Sequence, residues 1–257
     1  MDQKDIVHIT AVTQVRPDGE KCTQAVIEYK EKIEPSMLEP DSFEVKDRTI
    51  IRIESESNKV TLHLDEKDKE APTLCPGMPW KGSYASLKDA KVLVRQKKEI
   101  RTQDGRILEK TDEWIESDQT CNKEEELFIQ MAYQKQSYNL YIPKDYDPKK
   151  KYPLVQFIHD AGACGKDTRL ALAQGRGALV WASPEVQKEH PCFVFAPQFD
   201  GPPIVDDDWN VDERLEDAKA ALDNILELYS IDRNRIYTTG QSMGCMASIV
   251  LNIRYPE

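Results

Sequence analysis

Gly240-Gln241-Ser242-Met243-Gly244 is the stretch of this sequence best built for chemistry. A serine hydroxyl becomes a useful nucleophile when it is presented clear of the backbone and a neighbouring base takes its proton. A strand-to-helix turn tight enough to present it strains the serine backbone. The residues two before and two after must then be small to avoid a clash. The G-x-S-x-G spacing meets that need, and its surroundings fit: 235–239 (Arg-Ile-Tyr-Thr-Thr) reads as a strand and 245–251 as a helix. Ser242 is therefore the expected nucleophile and Gly240 and Gly244 the elbow glycines. A plain glycine turn is the alternative, and the strand before and helix after count against it. The helix N-terminus under the serine favours negative charge developing there.

Attack on a carbonyl also needs two backbone N–H groups aimed at the developing oxyanion. One comes from the residue after the nucleophile, Met243. The other is expected from a loop after an earlier strand. His159-Asp160-Ala161-Gly162 follows such a strand, and Ala161, then Gly162, are the candidates. His159 could be taken for a catalytic base. It precedes the loop, and the reading adopted is a structural residue that shapes it.

The elements needed to hold these groups are legible in the second half. Residues 138–142, 154–159, 192–196 and 235–239 read as strands. Between the last two, 212–229 places Leu215, Ala218, Leu222, Ile225 and Leu226 on one helical face. Strands alternating with helix predict a parallel sheet, with its site at the carboxyl ends of the strands. The first half has a different rhythm. Residues 6–15 and 25–29 flank a Pro17-Asp18-Gly19 turn, Val60, Leu62 and Leu64 alternate with polar residues, and 92–94 and 107–108 flank Gln103-Asp104-Gly105-Arg106. Short alternating strands with turn signals predict a β-sandwich. The polar stretch 119–126 marks the junction, giving domains 1–118 and 122–257. His8 and His63 fall inside strand patterns and are expected to be ordinary strand residues.

The 257 residues carry a formal net charge of −11 with 39% apolar residues. An acidic surface repels phosphate backbones and argues against nucleic acid as a partner. The N-terminus lacks the apolar core of a signal peptide, and no stretch has the roughly 18 apolar residues that span a bilayer. A cytoplasmic protein without a membrane partner is the simplest reading; an export signal already removed would look the same. The six cysteines form no C-x-x-C pair and are expected to be free thiols, and neither a metal site nor a cofactor is expected. Lysines 149–151 and Asp206-Asp207-Asp208 read as solvated loops. Trp181 and Trp209 are candidates for a pocket wall, with core packing the preferred use.

Four segments of the second half, 138–146, 152–159, 195–198 and 231–244, resemble in order and spacing the feruloyl-esterase and prolyl-oligopeptidase-like branch of the α/β-hydrolases. The front, including Asp41-Ser42-Phe43-Glu44-Val45, resembles the immunoglobulin-like domain that precedes the hydrolase domain in some bacterial esterases. The resemblance implies an all-β immunoglobulin-like sandwich followed by an α/β-hydrolase domain. It implies a serine hydrolase that cleaves small esters, carbohydrate-linked esters included, through an acyl-enzyme on Ser242, with a His as base and an Asp orienting it. The front domain has three open uses: joining a homo-oligomer, shielding the site or binding substrate. Two positions depart from the family pattern. Asp160 stands where His-Gly-x-Gly has its first Gly, with an Asp expected to tolerate a left-handed backbone there. Cys245 stands where Gly is common and is expected to pack.

In this fold the triad runs Ser, then Asp or Glu, then His. The residues after Ser242 contain neither Asp nor His, and Glu257 comes too soon after the elbow helix to be the acid. The expectation is a hydrolase domain incomplete at its C-terminus, with the remaining partners beyond residue 257 and little activity in this stretch alone. A serine peptidase on the same fold is the second reading. A non-catalytic pseudo-hydrolase or carbohydrate-binding protein is the third.

Overall fold

The structure, a computed structural model, describes residues 5–256; Glu257 lies outside the described residues. The chain divides into two compact units. The first comprises Met1–Gln14, Glu20–Thr73 and Lys88–Asn122, and the second Val15–Gly19, Leu74–Leu87 and Lys123–Glu257. The sequence reading gives 1–118 undivided to the front domain. The structure instead detaches two short segments from it, and the second of these matters for the site.

The strands along the front half are β1 (Ile6–Arg16), β2 (Gly19–Tyr29), β3 (Phe43–Val45), β4 (Ile50–Glu56), β5 (Lys59–Leu64), β6 (Leu74–Cys75), β7 (Ser86–Leu87), β8 (Leu93–Gln96), β9 (Ile100–Arg101), β10 (Ile107–Leu108), β11 (Ile115–Glu116) and β12 (Gln119–Cys121). In the first unit they form a sheet of order β12-β1-β2-β5-β4, a sheet of order β11-β8-β3 and the hairpin β9-β10. The period-two pattern is realised: Val60, Leu62 and Leu64 of β5 point inward, and Ile9, Ala11, Ile27 and Tyr29 join them in one core with Phe43, Val45 and Val94. The Asp104-Gly105 turn does not join 92–94 to 107–108. Ile107 pairs with Arg101 and Leu108 with Ile100, while Val94 lies between Ile115 and Val45. A tight turn can only join strands that abut it, and the two-residue β9 is too short to show any alternation.

One buried carboxylate in this unit gathers three donors. The Glu20 carboxylate accepts from Thr13 Oγ1 at 3.0 Å, Thr73 Oγ1 at 2.6 Å and Asn122 Nδ2 at 2.7 Å. His8 and His63 lie in strands, His8 Nδ1 at 2.7 Å from Asp118 and His63 Nε2 at 3.0 Å from Glu54.

The second unit is built on β13 (Ile129–Tyr133), β14 (Gln136–Tyr141), β15 (Tyr152–Ile158), β16 (Phe193–Gln198) and β17 (Ile231–Gly240). Its helices are α1 (Leu170–Ala173), α2 (Leu179–Ala182), α3 (Pro184–Glu189), α4 (Arg214–Leu228) and α5 (Met243–Arg254). The sheet order is β13-β14-β16-β15-β17. β16, β15 and β17 run parallel, as expected. β13 and β14 do not: β14 is antiparallel to β16 and β13 to β14, so the sheet is mixed. The two-residue loop Gln134-Lys135 explains the departure, because Tyr133 pairs directly with Gln136 and so short a link allows only a hairpin. The expected helix appears as α4, with Leu215, Ala218, Leu222 and Ile225 buried against the sheet. Among the described residues no helix is long and apolar enough to cross a membrane, none of the six cysteines is joined in a disulfide, and no cluster of His, Cys, Asp and Glu is placed to hold a metal ion.

Candidate active site

β15 and β17 are parallel neighbours with Ile158 opposite Gly240, so the loops that leave their carboxyl ends start side by side. From β17 the chain turns through Ser242 into α5. Ser242 adopts φ 50 and ψ −117, a region that a non-glycine residue enters only under strain. The turn is closed by Gly244 N–H to Gln241 O at 2.8 Å and Cys245 N–H to Ser242 O at 2.9 Å. Neither elbow glycine has room for a side chain. A Cβ on Gly240 would lie 2.3 Å from the Gly244 carbonyl carbon, and one on Gly244 2.0 Å from Ile158 O. The result is an exposed serine on an elbow whose own packing fixes it.

The loop from β15 begins with His159, whose side chain is fully buried. Its Nδ1 donates to Asp160 O at 2.7 Å and its Nε2 accepts from Phe199 N–H at 3.0 Å. Burial lowers its pKa to about 4, so the ring is neutral and both nitrogens are in use. His159 is thus a brace between β15 and the end of β16, with no free nitrogen for Ser242. Among the described residues no His or carboxylate is hydrogen-bonded to Ser242 Oγ.

Asp160 does not need the left-handed conformation that the sequence suggests. Its φ of −76 is ordinary, because its side chain caps a single 3-10 turn over Ala161–Ala163. Oδ1 accepts from Ala163 N–H at 3.0 Å, and Oδ2 accepts from Gln241 Nε2 at 3.0 Å. Burial raises the carboxyl pKa, and the N–H groups of Ala163 and Gly162 pull it back down. With its N–H turned toward Asp160, Gly162 is the poorer oxyanion donor. The N–H groups of Ala161 and Met243 have no acceptor among the described residues, and each begins its own helical turn.

Two side chains depart from expectation. Cys245 is exposed rather than packed, because α5 buries Met243, Gly244, Ala247, Ser248 and Leu251 while 245, 249 and 252 fall on its outer face. Trp181 is half-buried against the core, whereas Trp209 is 50% exposed with φ 63. Two flanking segments escaped the sequence reading. The Leu74–Leu87 arm is a small hairpin, β6 with β7, whose Gly77 N–H donates to Gly162 O and Ala85 N–H to Cys164 O, both at 2.8 Å. A hairpin around 204–211 packs Ile204 and Val205 with Met243, and Ile204 N–H points to Met243 Sδ at 3.3 Å. The signal for the arm was available as punctuation, Pro76-Gly77 followed by Pro79 and Gly82, which marks turns without saying against what they pack.

Residues 8–109 match a family described as an esterase Ig-like N-terminal domain. A crystal structure of a thermostable esterase is similar to this chain with TM-score 0.89 and 31% identity, over 97% of this chain and 74% of that one. A feruloyl esterase module from Clostridium thermocellum aligns at 17% identity and TM-score 0.40 over 50% of this chain and 49% of its own. A puromycin-hydrolysing peptidase from Mycobacterium tuberculosis aligns at 11% identity and TM-score 0.35 over 91% of this chain and 47% of its own. Neither of these two superposes closely enough to bear on this chain. No curated protein matches it.

Proposed function

Because the chain belongs to the α/β-hydrolase esterases that carry an immunoglobulin-like N-terminal domain, we propose that it is the nucleophile-bearing part of a carboxylesterase acting through Ser242. The observation that carries this reading is the strained elbow: Ser242 at φ 50 between two glycines that admit no Cβ. Such strain persists where the exposed hydroxyl is used.

In the proposed reaction Ser242 Oγ bonds to the ester carbonyl carbon as a base takes the hydroxyl proton. The carbonyl oxygen becomes an oxyanion and accepts from the N–H groups of Met243 and Ala161. Collapse breaks the bond to the leaving alcohol, which takes the proton from the base, and water then releases the acid by the same steps. A His serves as the base and an Asp orients it in this proposal. Small esters are the expected partners, and neither cofactor nor metal takes part.

The test is labelling of the native polypeptide with a fluorophosphonate, followed by peptide mass mapping, beside hydrolysis of p-nitrophenyl butyrate and of a dipeptide p-nitroanilide. Phosphonylation of Ser242 with ester turnover supports the reading. Turnover of the anilide alone would make the protein a peptidase. Absence of labelling and turnover would leave a non-catalytic binding role.

A further inference from the structure

Each half of the candidate oxyanion hole is fastened to a hydrogen-bonded segment that carries an exposed tryptophan. Beside Ala161 and Gly162 lies the Leu74–Leu87 arm. Its two backbone hydrogen bonds to Gly162 and Cys164 join it to that loop, and the approach is close enough that a Cβ on Gly165 would lie 2.6 Å from Ala85 O. The tip is ordered by its own hydrogen bonds, Lys81 and Ser83 N–H to Met78 O and Gly82 N–H to Pro79 O. From it project Met78, Trp80 and Tyr84, which are 46%, 66% and 42% exposed. Beside Met243 lies the 204–211 hairpin. Val205 bridges to Val211, and the Asp206 carboxylate accepts from Asp208 N–H, Asn210 N–H and Asn210 Nδ2 at 2.9–3.0 Å. At its tip stands Trp209, in a left-handed conformation that is costly for a bulky aromatic residue.

We propose that Trp80 and Trp209, with Met78 and Tyr84, bracket Ser242 as the binding site for a large apolar group, alkyl or aryl, next to the scissile ester bond. The inference rests on Ser242 being the nucleophile. Exposed aromatic rings cost free energy in water, and an apolar ligand removes that cost when it covers them. Both tips are held by backbone hydrogen bonds, so little ordering opposes binding. An outlier backbone at Trp209, where Asn or Gly would sit with less strain, is what a side chain retained for contact with a ligand predicts. Neither segment carries a guanidinium or a cluster of amines at its tip to take a charged group, so a small polar ester gains little from this surface.

The test uses valerophenone, a ketone that mimics an aryl ester and cannot be cleaved, binding to the native polypeptide as the Ser242→Ala variant. Binding is read by saturation-transfer NMR. Trp80→Ala and Trp209→Ala should each raise Kd at least fivefold with the unfolding midpoint unmoved, and the pair should raise it further. An unchanged Kd in both overturns the proposal. An unchanged Kd with loss of a larger assembly in sedimentation overturns it too, in favour of a contact between copies. Turnover then assigns the side: Trp80→Ala should lower kcat/KM more for methyl octanoate than for methyl acetate if the acyl chain lies there, or more for octyl acetate if the alcohol does. Equal losses on all three contradict the proposal. If valerophenone binding depends on the tryptophans and no ester is hydrolysed, the esterase reading fails while the apolar site stands.

Discussion

Gln241 Nε2 donates to Asp160 Oδ2 at 3.0 Å, tying the residue before the proposed nucleophile to the residue before the candidate oxyanion donor. Asp160 also caps the turn that aims Ala161 N–H, through its bond from Ala163 N–H. One carboxylate thus links the two halves of the candidate site. Breaking the tie with Gln241→Ala should lower kcat about 10-fold, below the roughly 10²–10³-fold cost of deleting an oxyanion donor, with KM changed less than threefold. Gln241→Glu is the more telling variant. It sets two carboxyls against each other, so one must be protonated to share the hydrogen bond. Its kcat should recover as pH falls from 8 to 6, where the wild type's does not, and a flat difference across that range would count against the tie.

The elbow makes a stability prediction of opposite sign. Ser242→Gly removes the strain of φ 50 and should stabilise the fold by about 1 kcal/mol, within the ~1–3 kcal/mol held by such outliers. Gly244→Ala must displace the Ile158 carbonyl, 2.0 Å from the new Cβ, and should cost at least ~3 kcal/mol or abolish soluble expression. Thermal unfolding of both variants decides it. A Ser242→Gly midpoint at or below the wild type's would mean that the surroundings do not store strain at this residue.

How much of this was legible beforehand depends on the range of the interactions. Ser242, its glycines and β17 follow one another in sequence, so local spacing carried them. The α4 face and the β5 alternation were likewise local, each repeating with its own period. β13 was missed because Ile129-Gln130-Met131-Ala132-Tyr133 hides its hairpin in an unusual turn, with Gln134 at φ 52. The Gln241–Asp160 tie spans 81 residues, and Gly77 meets Gly162 from an equally remote position. No periodicity reports such contacts. Trp209 was read as core because tryptophan usually is; only the fold shows its ring at the tip of a turn.

In the first unit the Glu20 carboxylate is the shared acceptor for Thr13, Thr73 and Asn122. Removing it takes the shared acceptor from three buried side chains at once, which costs more than any one hydrogen bond contributes. Glu20→Ala should destabilise this unit by about 3 kcal/mol, and Thr73→Val by about 1 kcal/mol. Urea unfolding followed at a probe inside the unit measures both. Equal effects would show that Glu20 is hydrated rather than shared.

His159 gives the last prediction, a dependence on pH whose sign is fixed by its burial. Its pKa falls from 6.5 in the unfolded chain to about 4 in the folded one, because the charged ring would be desolvated and Nε2 would lose the Phe199 N–H. Between those values the unfolded state binds the extra proton. Stability from this group is therefore complete above pH 6.5 and drains away as pH falls toward 4, by roughly 3 kcal/mol in all. Other carboxylates titrate in the same window, so the wild-type curve alone does not isolate His159. His159→Gln does, since a carboxamide can donate to Asp160 O and accept from Phe199 N–H without titrating. Its stability from denaturant midpoints should be lower than wild type at pH 7.5, and its slope between pH 6.5 and 4.5 distinctly shallower. Parallel slopes would place the acid sensitivity elsewhere.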